Sequence, residues 1–93
     1  MHAMLVTVEI DPARADEARK VLDEFTVPTV KSQPGFVRGV WMRADDGTAG
    51  RGVVLFDSAD QANAAAKLAL QGPPPGAPVT IRSAEVFEVI AEA

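Results

Sequence analysis

The sequence predicts an α+β protein in which strands and helices follow the order β-α-β-β-α-β. Four segments rich in β-branched residues alternate with two segments in which apolar residues recur every three or four positions. An Asp46-Gly47 pair between the second and third strand segments marks a tight hairpin, so these two strands are antiparallel neighbours. This order predicts a ferredoxin-like fold with an antiparallel sheet and both helices on one of its faces. With 93 residues, the chain is expected to form a single domain over residues 1–93.

The composition argues against several classes of function. Cysteine is absent, which excludes disulfides, thiolate nucleophiles and cysteine metal sites and fits a reducing compartment. The net charge of −4, with scattered basic residues, argues against a nucleic-acid partner because phosphate binding needs clustered Lys and Arg. No apolar stretch approaches the roughly 20 residues of a membrane span, and the N-terminus carries no pattern typical of a signal peptide. We therefore expect a cytoplasmic protein without a membrane or nucleic-acid partner.

The first half of the chain is predicted to form a strand and then a helix. Residues 4–10 form the strand, and successive side chains alternate between its two faces. One face carries Met4, Val6, Val8 and Ile10, and the other carries Leu5, Thr7 and Glu9. Asp11 is a suitable N-cap and Pro12 suits the first helical position, before an apolar stripe of Ala15, Ala18, Leu22 and Phe25. Pro28 is expected to kink or end this helix because its ring clashes with a carbonyl one turn back.

The hairpin strands and the second helix follow. Residues 36–43 and 50–56 are the second and third predicted strands. Ser58 and Gln61 have the spacing of a capping box, which opens a helix that runs to about Gln71. Small side chains let such a helix lie close to a sheet, and the predicted sheet-facing stripe is Ala62, Ala65, Ala66 and Ala69.

A proline-rich connector, residues 72–78, leads to the last predicted strand, which runs from about Val79 to Ile90. The connector is either a lid over a pocket or, more commonly for such a segment, a rigid link. Val79 and Ile81 share one side of the strand, and Phe87 and Val89 are expected to continue on that side. Ser83 and Glu85 interrupt the apolar pattern, which predicts a bulge or a change of environment there.

The hairpin strands are apolar on both sides, although two helices can cover only one face of the sheet. Strict alternation places Val37 and Trp41 on one side of the second strand, and Phe36, Val40 and Met42 on the other. In the third strand, Val53 and Leu55 oppose Val54 and Phe56. An exposed apolar face larger than roughly a few hundred Å² is a liability for a monomer. We therefore expect a homodimer that pairs sheet to sheet; the alternative is that strand ends and loops of one chain cover the face.

The chain resembles the dimeric α+β barrel superfamily, and most closely its antibiotic biosynthesis monooxygenase-type domains. The resemblance covers nearly the whole chain and rests on structural motifs. These are Val27-Pro28, Gln33-Pro34-Gly35-Phe36, the Asp46-Gly47 hairpin, Phe56-Asp57-Ser58 and Ala62. It implies a sheet-to-sheet dimer that holds a small, often aromatic or hydrophobic ligand between the sheet and the helices. Some similar proteins oxygenate such a molecule without a flavin or a metal, and others degrade haem or isomerise lactones.

This sequence departs from the pattern of some of these proteins. Haem-degrading members hold the iron with an internal histidine, whereas the sole histidine here is His2, placed ahead of the first predicted strand and read as a flexible terminal residue. The chain has no tyrosine, which serves in some of the monooxygenases. No cofactor is therefore expected, and no His, Asp and Glu cluster has metal-ligand spacing. A Ser/His/Asp set is also absent, so the catalytic residues are unknown.

Five residues are candidates for ligand contact: Trp41, Arg38, Arg43, Thr7 and Glu9. Trp41 could stack on a planar ligand, or it could be a core or dimer-interface aromatic. Arg38 and Arg43 flank it on opposite strand faces, and one of them could stabilise an enolate or peroxide anion; the alternative is an exposed edge-strand charge. Glu9, beside Thr7, could be a general base if burial raises its pKa, or it could pair with an arginine such as Arg82 or Arg51.

Three functions remain open from the sequence. The first is a small oxygenase-like or isomerase-like enzyme with Trp41 and one arginine in a pocket. The second is a non-catalytic ligand-binding or regulatory module of the same shape, and the third is a structural dimer without a ligand. A cavity of about 300 Å³ or more beside Trp41 would favour the first two over the third.

Overall fold

The computed structural model describes residues 1–93, and its elements follow the predicted order. The strands are β1 (His2–Ile10), β2 (Phe36–Arg43), β3 (Ala49–Phe56) and β4 (Val79–Glu88). They form one antiparallel sheet in the order β2-β3-β1-β4. Both helical units lie over the same face of this sheet, which we call the inner face; the opposite face is the outer face. The predicted ferredoxin-like arrangement is confirmed.

The first helical unit is a continuous run of four segments. It begins with a 3-10 turn (Pro12–Arg14) and continues through α1 (Ala15–Val21), a π-helical turn (Leu22–Thr26) and α2 (Val27–Lys31). The predicted cap is present, since the Asp11 Oδ1 atom accepts a hydrogen bond from the Ala13 N–H at 3.0 Å. None of the helices in the protein is long and apolar enough to cross a membrane.

Pro28 does not end the helix, which continues to Lys31; of the two expected outcomes, a kink or an end, the end was therefore wrong. The π-helical turn lies directly before Pro28, and there the Val27 N–H donates to the Leu22 carbonyl, five residues back. A proline ring in a regular α-helix clashes with the carbonyl four residues back, which for Pro28 belongs to Glu24. The wider turn changes the spacing of these carbonyls and lets the helix continue to Lys31.

The second helix, α3 (Ala59–Ala69), lies close to the sheet. The Ser58 Oγ atom accepts from the Gln61 N–H at 3.3 Å, as the capping motif predicts. The reciprocal bond of the box is absent, because the Gln61 side chain lies against Gly35 instead. Three of the four predicted alanines are buried, and they form the core with Met4, Val54 and Phe56; these are Ala62, Ala65 and Ala66.

The hairpin between β2 and β3 forms at the predicted turn. Gly47 adopts a φ of 78°, and the Asp46 Oδ1 atom accepts from the Thr48 N–H at 3.0 Å and from the Thr48 hydroxyl at 2.7 Å. A shift of register between Phe36 and Arg38 interrupts the pairing of β2 with β3. The shift places Phe36 on the inner face, the same face as Trp41, so the strict alternation that had separated these two residues was wrong.

The predicted irregularity in β4 is confirmed. The register against β1 shifts so that Val8 pairs with Ile81 while Thr7 pairs with Ser83, which leaves Arg82 as the extra residue. One consequence was not predicted: Phe87 pairs with Ala3 and lies on the outer face, opposite to Val79 and Ile81. The strand also ends at Glu88, two residues earlier than expected.

Candidate functional site

A cavity of about 600 Å³ separates the first helical unit from the sheet. Its floor is the inner face of the sheet, where β1 contributes Met4, Val6, Val8 and Ile10. Its roof comes from the first helical unit, including Ala18, Leu22, Phe25, Thr26 and Val30. Of the stripe predicted for this helix, only Ala18 is buried, and Phe25 is 40% exposed. The first helical unit therefore stands off from the sheet, and the space beneath it is mostly lined by apolar side chains.

Trp41 lies in the wall of this cavity and also packs against the core. Two glycines allow its indole to approach the backbone of the sheet. A Cβ atom at Gly52 would lie 2.9 Å from both Cδ1 and Nε1 of Trp41, and a Cβ atom at Gly39 would lie 2.7 Å from Cη2. The ring thus spans both glycines, and larger residues at either position would displace it. Its N–H makes no hydrogen bond within the protein and can donate to a ligand.

Arg43 shares the inner face of β2 with Trp41 and also lines the cavity. The residue opposite it on β3 is Gly50, which has no side chain to compete for the same space. Arg43 forms no ion pair within the chain. Trp41 and Arg43, two of the five candidates predicted from the sequence, therefore both line this cavity.

Thr7 and Glu9 lie outside the cavity, on the outer face of β1. The Glu9 carboxylate accepts a hydrogen bond from Arg82, and this bond lowers the pKa of Glu9 below its ordinary value. A general base in this environment would need a raised pKa, so that interpretation of Glu9 was wrong and the alternative, a pair with Arg82, is present. Neither residue contributes to the site because the inner face of β1 is formed by its even-numbered positions.

Arg38 is also absent from the cavity. It pairs with Leu55 on the outer face, and its Nη2 atom lies 3.2 Å from Oε1 of Glu92 in the C-terminal segment. The prediction that Arg38 and Arg43 lie on opposite faces of β2 agrees with the structure. Of these two arginines, only Arg43 lies on the inner face, where it can contact a ligand beneath the helices.

The roof contributes polar residues that sequence reasoning missed. Thr26 and Thr29 line the cavity, and so do Arg19 and Asp23, whose Nε and Oδ2 atoms form an ion pair at 3.0 Å. The sequence offered one signal for this part of the helix, a proline, Pro28, within a helical pattern. A π-helical turn lies directly before that proline, and π-helical turns often occur at functional sites. An apolar stripe read with a period of 3.6 residues cannot show which residues a π turn brings over the sheet.

The proline-rich connector borders the cavity with Gly72 and Pro73. Two hydrogen bonds attach it to the start of the first helical unit. The Arg14 Nη2 atom donates to the Gly76 carbonyl at 2.9 Å, and the Asp11 N–H donates to the Pro78 carbonyl at 3.0 Å. These contacts agree with a rigid link at one end of the cavity.

Solved structures with the same architecture were found, although no family model and no curated protein matches the sequence. The heme-degrader MhuD from Mycobacterium tuberculosis is 21% identical with a TM-score of 0.73, over 100% of this chain and 99% of that one. SnoaB, a cofactor-independent oxygenase from Streptomyces nogalater, is 19% identical with a TM-score of 0.68, over 98% and 94%. HapK from Hahella chejuensis is 14% identical with a TM-score of 0.70, over 100% and 96%.

This chain has the same fold as these solved structures. The resemblance predicted from the sequence is thereby confirmed for the fold alone. Identities of this size leave the activity open, because one fold can carry many reactions.

The residues around the cavity do not fit haem, which the structure of MhuD holds in its active site. No histidine, cysteine or tyrosine lines the cavity, and on the inner face only Met4 would offer sulfur to an iron. His2 lies elsewhere, and it is not the flexible terminal residue expected from the sequence. It is the first residue of β1, paired with Phe56 and Glu88 in the neighbouring strands, and its Nδ1 atom is buried without a partner.

Proposed function

We propose that this protein is a homodimer that takes a small aromatic or polyketide-like molecule into the cavity and oxygenates it without a cofactor. The observation that carries the proposal is a cavity of about 600 Å³ with Trp41 in its wall, in a chain of 93 residues. Pockets for small molecules have volumes of about 300–1,000 Å³ and are mostly lined by apolar and aromatic side chains. The fold shared with a cofactor-independent oxygenase gives independent support for this kind of chemistry.

The residues around the cavity have distinct roles in this proposal. The indole of Trp41 stacks against the planar ligand, and its N–H donates to a ligand oxygen. Apolar side chains from β1 and the first helical unit exclude water from the ligand rings. Oxygenation without a cofactor requires an electron-rich substrate anion, and the guanidinium of Arg43 stabilises negative charge through charge-assisted hydrogen bonds.

Binding and turnover are tested with the same set of compounds. Quinols and aromatic polyketides are titrated into the protein while the fluorescence of Trp41, the only tryptophan, is followed. We expect saturable quenching, together with oxygen uptake measured with an electrode. In Trp41→Phe the affinity is measured by calorimetry and is expected to fall several-fold, because phenylalanine offers a smaller ring for stacking and lacks the indole N–H that donates to the ligand. Absence of quenching by every compound would contradict the proposal.

A non-catalytic ligand-binding module is the second candidate. The carboxylate that lines the cavity belongs to Asp23, and it is already paired with Arg19. The cavity therefore offers a proton acceptor only if this ion pair opens. Saturable quenching without oxygen uptake would favour this second function over the enzyme.

The homodimer is proposed from the outer face of the sheet. Apolar side chains there are exposed, with Val40 at 55%, Met42 at 50% and Phe87 at 50%. A second copy that packs on this face would remove them from water. Analytical ultracentrifugation is expected to show a dimer of the 9.8 kDa chain, which Val40→Glu dissociates.

Leu70→Glu is the matched control for Val40→Glu, because Leu70 is 56% exposed just after α3, away from the outer face. This variant is expected to remain dimeric. A monomeric wild type would overturn the dimer and leave the ligand-binding proposal standing.

A further inference from the structure

The charged residues around the cavity are unbalanced. Four ionisable side chains belong to residues that line it: Arg19, Asp23, Arg43 and Arg51. The Arg51 side chain lies on the outer face, so the ionisable side chains on the cavity side are Arg19, Asp23 and Arg43, two cations and one anion, although the protein as a whole has a net charge of −4. The surroundings of the cavity therefore carry the opposite sign to the rest of the molecule, which favours a negatively charged ligand.

Arg43 is the cation best placed to meet that ligand. Asp23 neutralises Arg19 through the ion pair at 3.0 Å. Arg51 pairs with Thr7 on the outer face of the sheet, and its Nη1 atom donates to the Gly50 carbonyl at 3.0 Å. Arg43 is on the inner face and has neither an ion pair nor a hydrogen bond from its guanidinium to the protein.

The geometry of β2 relates this cation to the aromatic wall. Trp41 and Arg43 are two positions apart on the same face, so their Cα atoms are about 7 Å apart along the strand. A planar ligand with its rings on the indole can therefore present an acidic group at its edge to the guanidinium. A planar carboxylate or phenolate oxygen is well suited to the fork of N–H donors on an arginine.

We propose that the cavity selects planar aromatic acids, bound as their anions with the rings on Trp41 and the ionised oxygen group at Arg43. This inference rests on the proposed function and adds the charge of the ligand to it. It also accounts for the lack of an unpaired carboxylate or histidine around the cavity. A ligand that binds as its phenolate, with the phenol proton lost to solvent beside Arg43, needs no protein base to become electron-rich.

A pair of probes that differ in charge tests the inference. Naphthoate and naphthalene methanol have the same ring system, and only the first carries a charge at neutral pH. Their affinities are measured by calorimetry with the wild-type protein, Arg43→Gln and Arg38→Gln. Arg38→Gln is the matched control, because it removes the same charge from the same strand on the outer face.

We expect naphthoate to bind the wild type about ten-fold more tightly than the alcohol, a ratio of affinities that corresponds to about 1.4 kcal/mol. Arg43→Gln is expected to abolish this preference and to leave the affinity for the alcohol unchanged, while Arg38→Gln retains the preference. The preference should also weaken as salt is added.

The outcomes separate the inference from the proposed function. Equal affinity of both probes for the wild type would overturn the charge selection while the cavity remains a ligand site. The same would follow if Arg38→Gln abolished the preference as fully as Arg43→Gln. Binding of neither probe, or of any aromatic compound in the fluorescence titrations, would overturn the proposed function and this inference with it.

Discussion

The two helical units cover the same sheet in opposite ways. Beneath α3, alanines lie directly against the strands, and Ala62, Val54 and Phe56 have no exposed surface. Beneath the first helical unit, larger side chains such as Leu22 leave a cavity of about 600 Å³. The small side chains allow close approach, whereas the larger ones hold the helix away without filling the space. Stability is therefore concentrated under α3, and room for a ligand lies under the other helix.

The largest difference between the two helical units is expected when a phenylalanine at each of them is replaced by alanine. Phe56→Ala removes a fully buried ring beneath α3 and is expected to lower the free energy of unfolding by about 3–5 kcal/mol. Phe25→Ala removes a ring that is 40% exposed and already borders open space, so its cost is expected to be about 1 kcal/mol. Urea denaturation followed by circular dichroism measures both. Equal losses would contradict the contrast between the two sides.

Enlargement of one alanine on each helix tests the available space. Ala62→Leu forces extra carbons into the packed interface and is expected to cost about 1–3 kcal/mol. Ala18→Leu points its added carbons toward the cavity and is expected to leave the unfolding midpoint nearly unchanged. It should also weaken the quenching of Trp41 by aromatic ligands. If Ala18→Leu destabilised the protein as much as Ala62→Leu, the cavity would not be available space.

The smallest effect is expected away from both helices, at the Glu9–Arg82 pair on the outer face. The hydrogen bond from Arg82 lowers the pKa of Glu9 in the folded state below its unfolded value. Stability from this pair is therefore present above the unfolded pKa and is lost as the pH falls through the folded pKa. Both side chains are more than half exposed, so the contribution is small.

The variant Arg82→Gln tests the direction of this pH dependence of stability. Urea midpoints should fall slightly near neutral pH, and the difference from the wild type should vanish once Glu9 is protonated in acid. A difference that grew with acidity would show that the pair acts in the opposite direction.

Much of the fold could be predicted because it depends on local chemistry. Asp11 and Ser58 cap helices, Asp46-Gly47 turns a hairpin, and the alanine stripe lies on the sheet as its periodicity indicates. The errors in which side chains share a face have one physical origin. One extra residue in β2, in β4 or before Pro28 changes which side chains share a face, and a regular period does not reveal where it lies.

The site was only partly predictable for the same reason. Trp41 and Arg43 could be paired on one face because the strand between them is regular. The face that the helices cover could not be chosen from the sequence, because both faces of the hairpin strands are apolar. Thr7, Glu9 and Arg38 therefore stood as equal candidates until the register placed them on the outer face. The cavity itself depends on how far the first helix stands off, which no local pattern encodes.

The π-helical turn Leu22–Thr26 makes the first helix sensitive to chain length. Each residue of an α-helix rotates the chain by about 100°. Deletion of one residue within this turn would restore the regular spacing and rotate Val27–Lys31 by about that angle, which swings Thr29 and Val30 away from the cavity. It would also bring the Pro28 ring against a carbonyl. Single-residue insertions and deletions here, rather than substitutions, are thus the changes that would remodel the roof in one step.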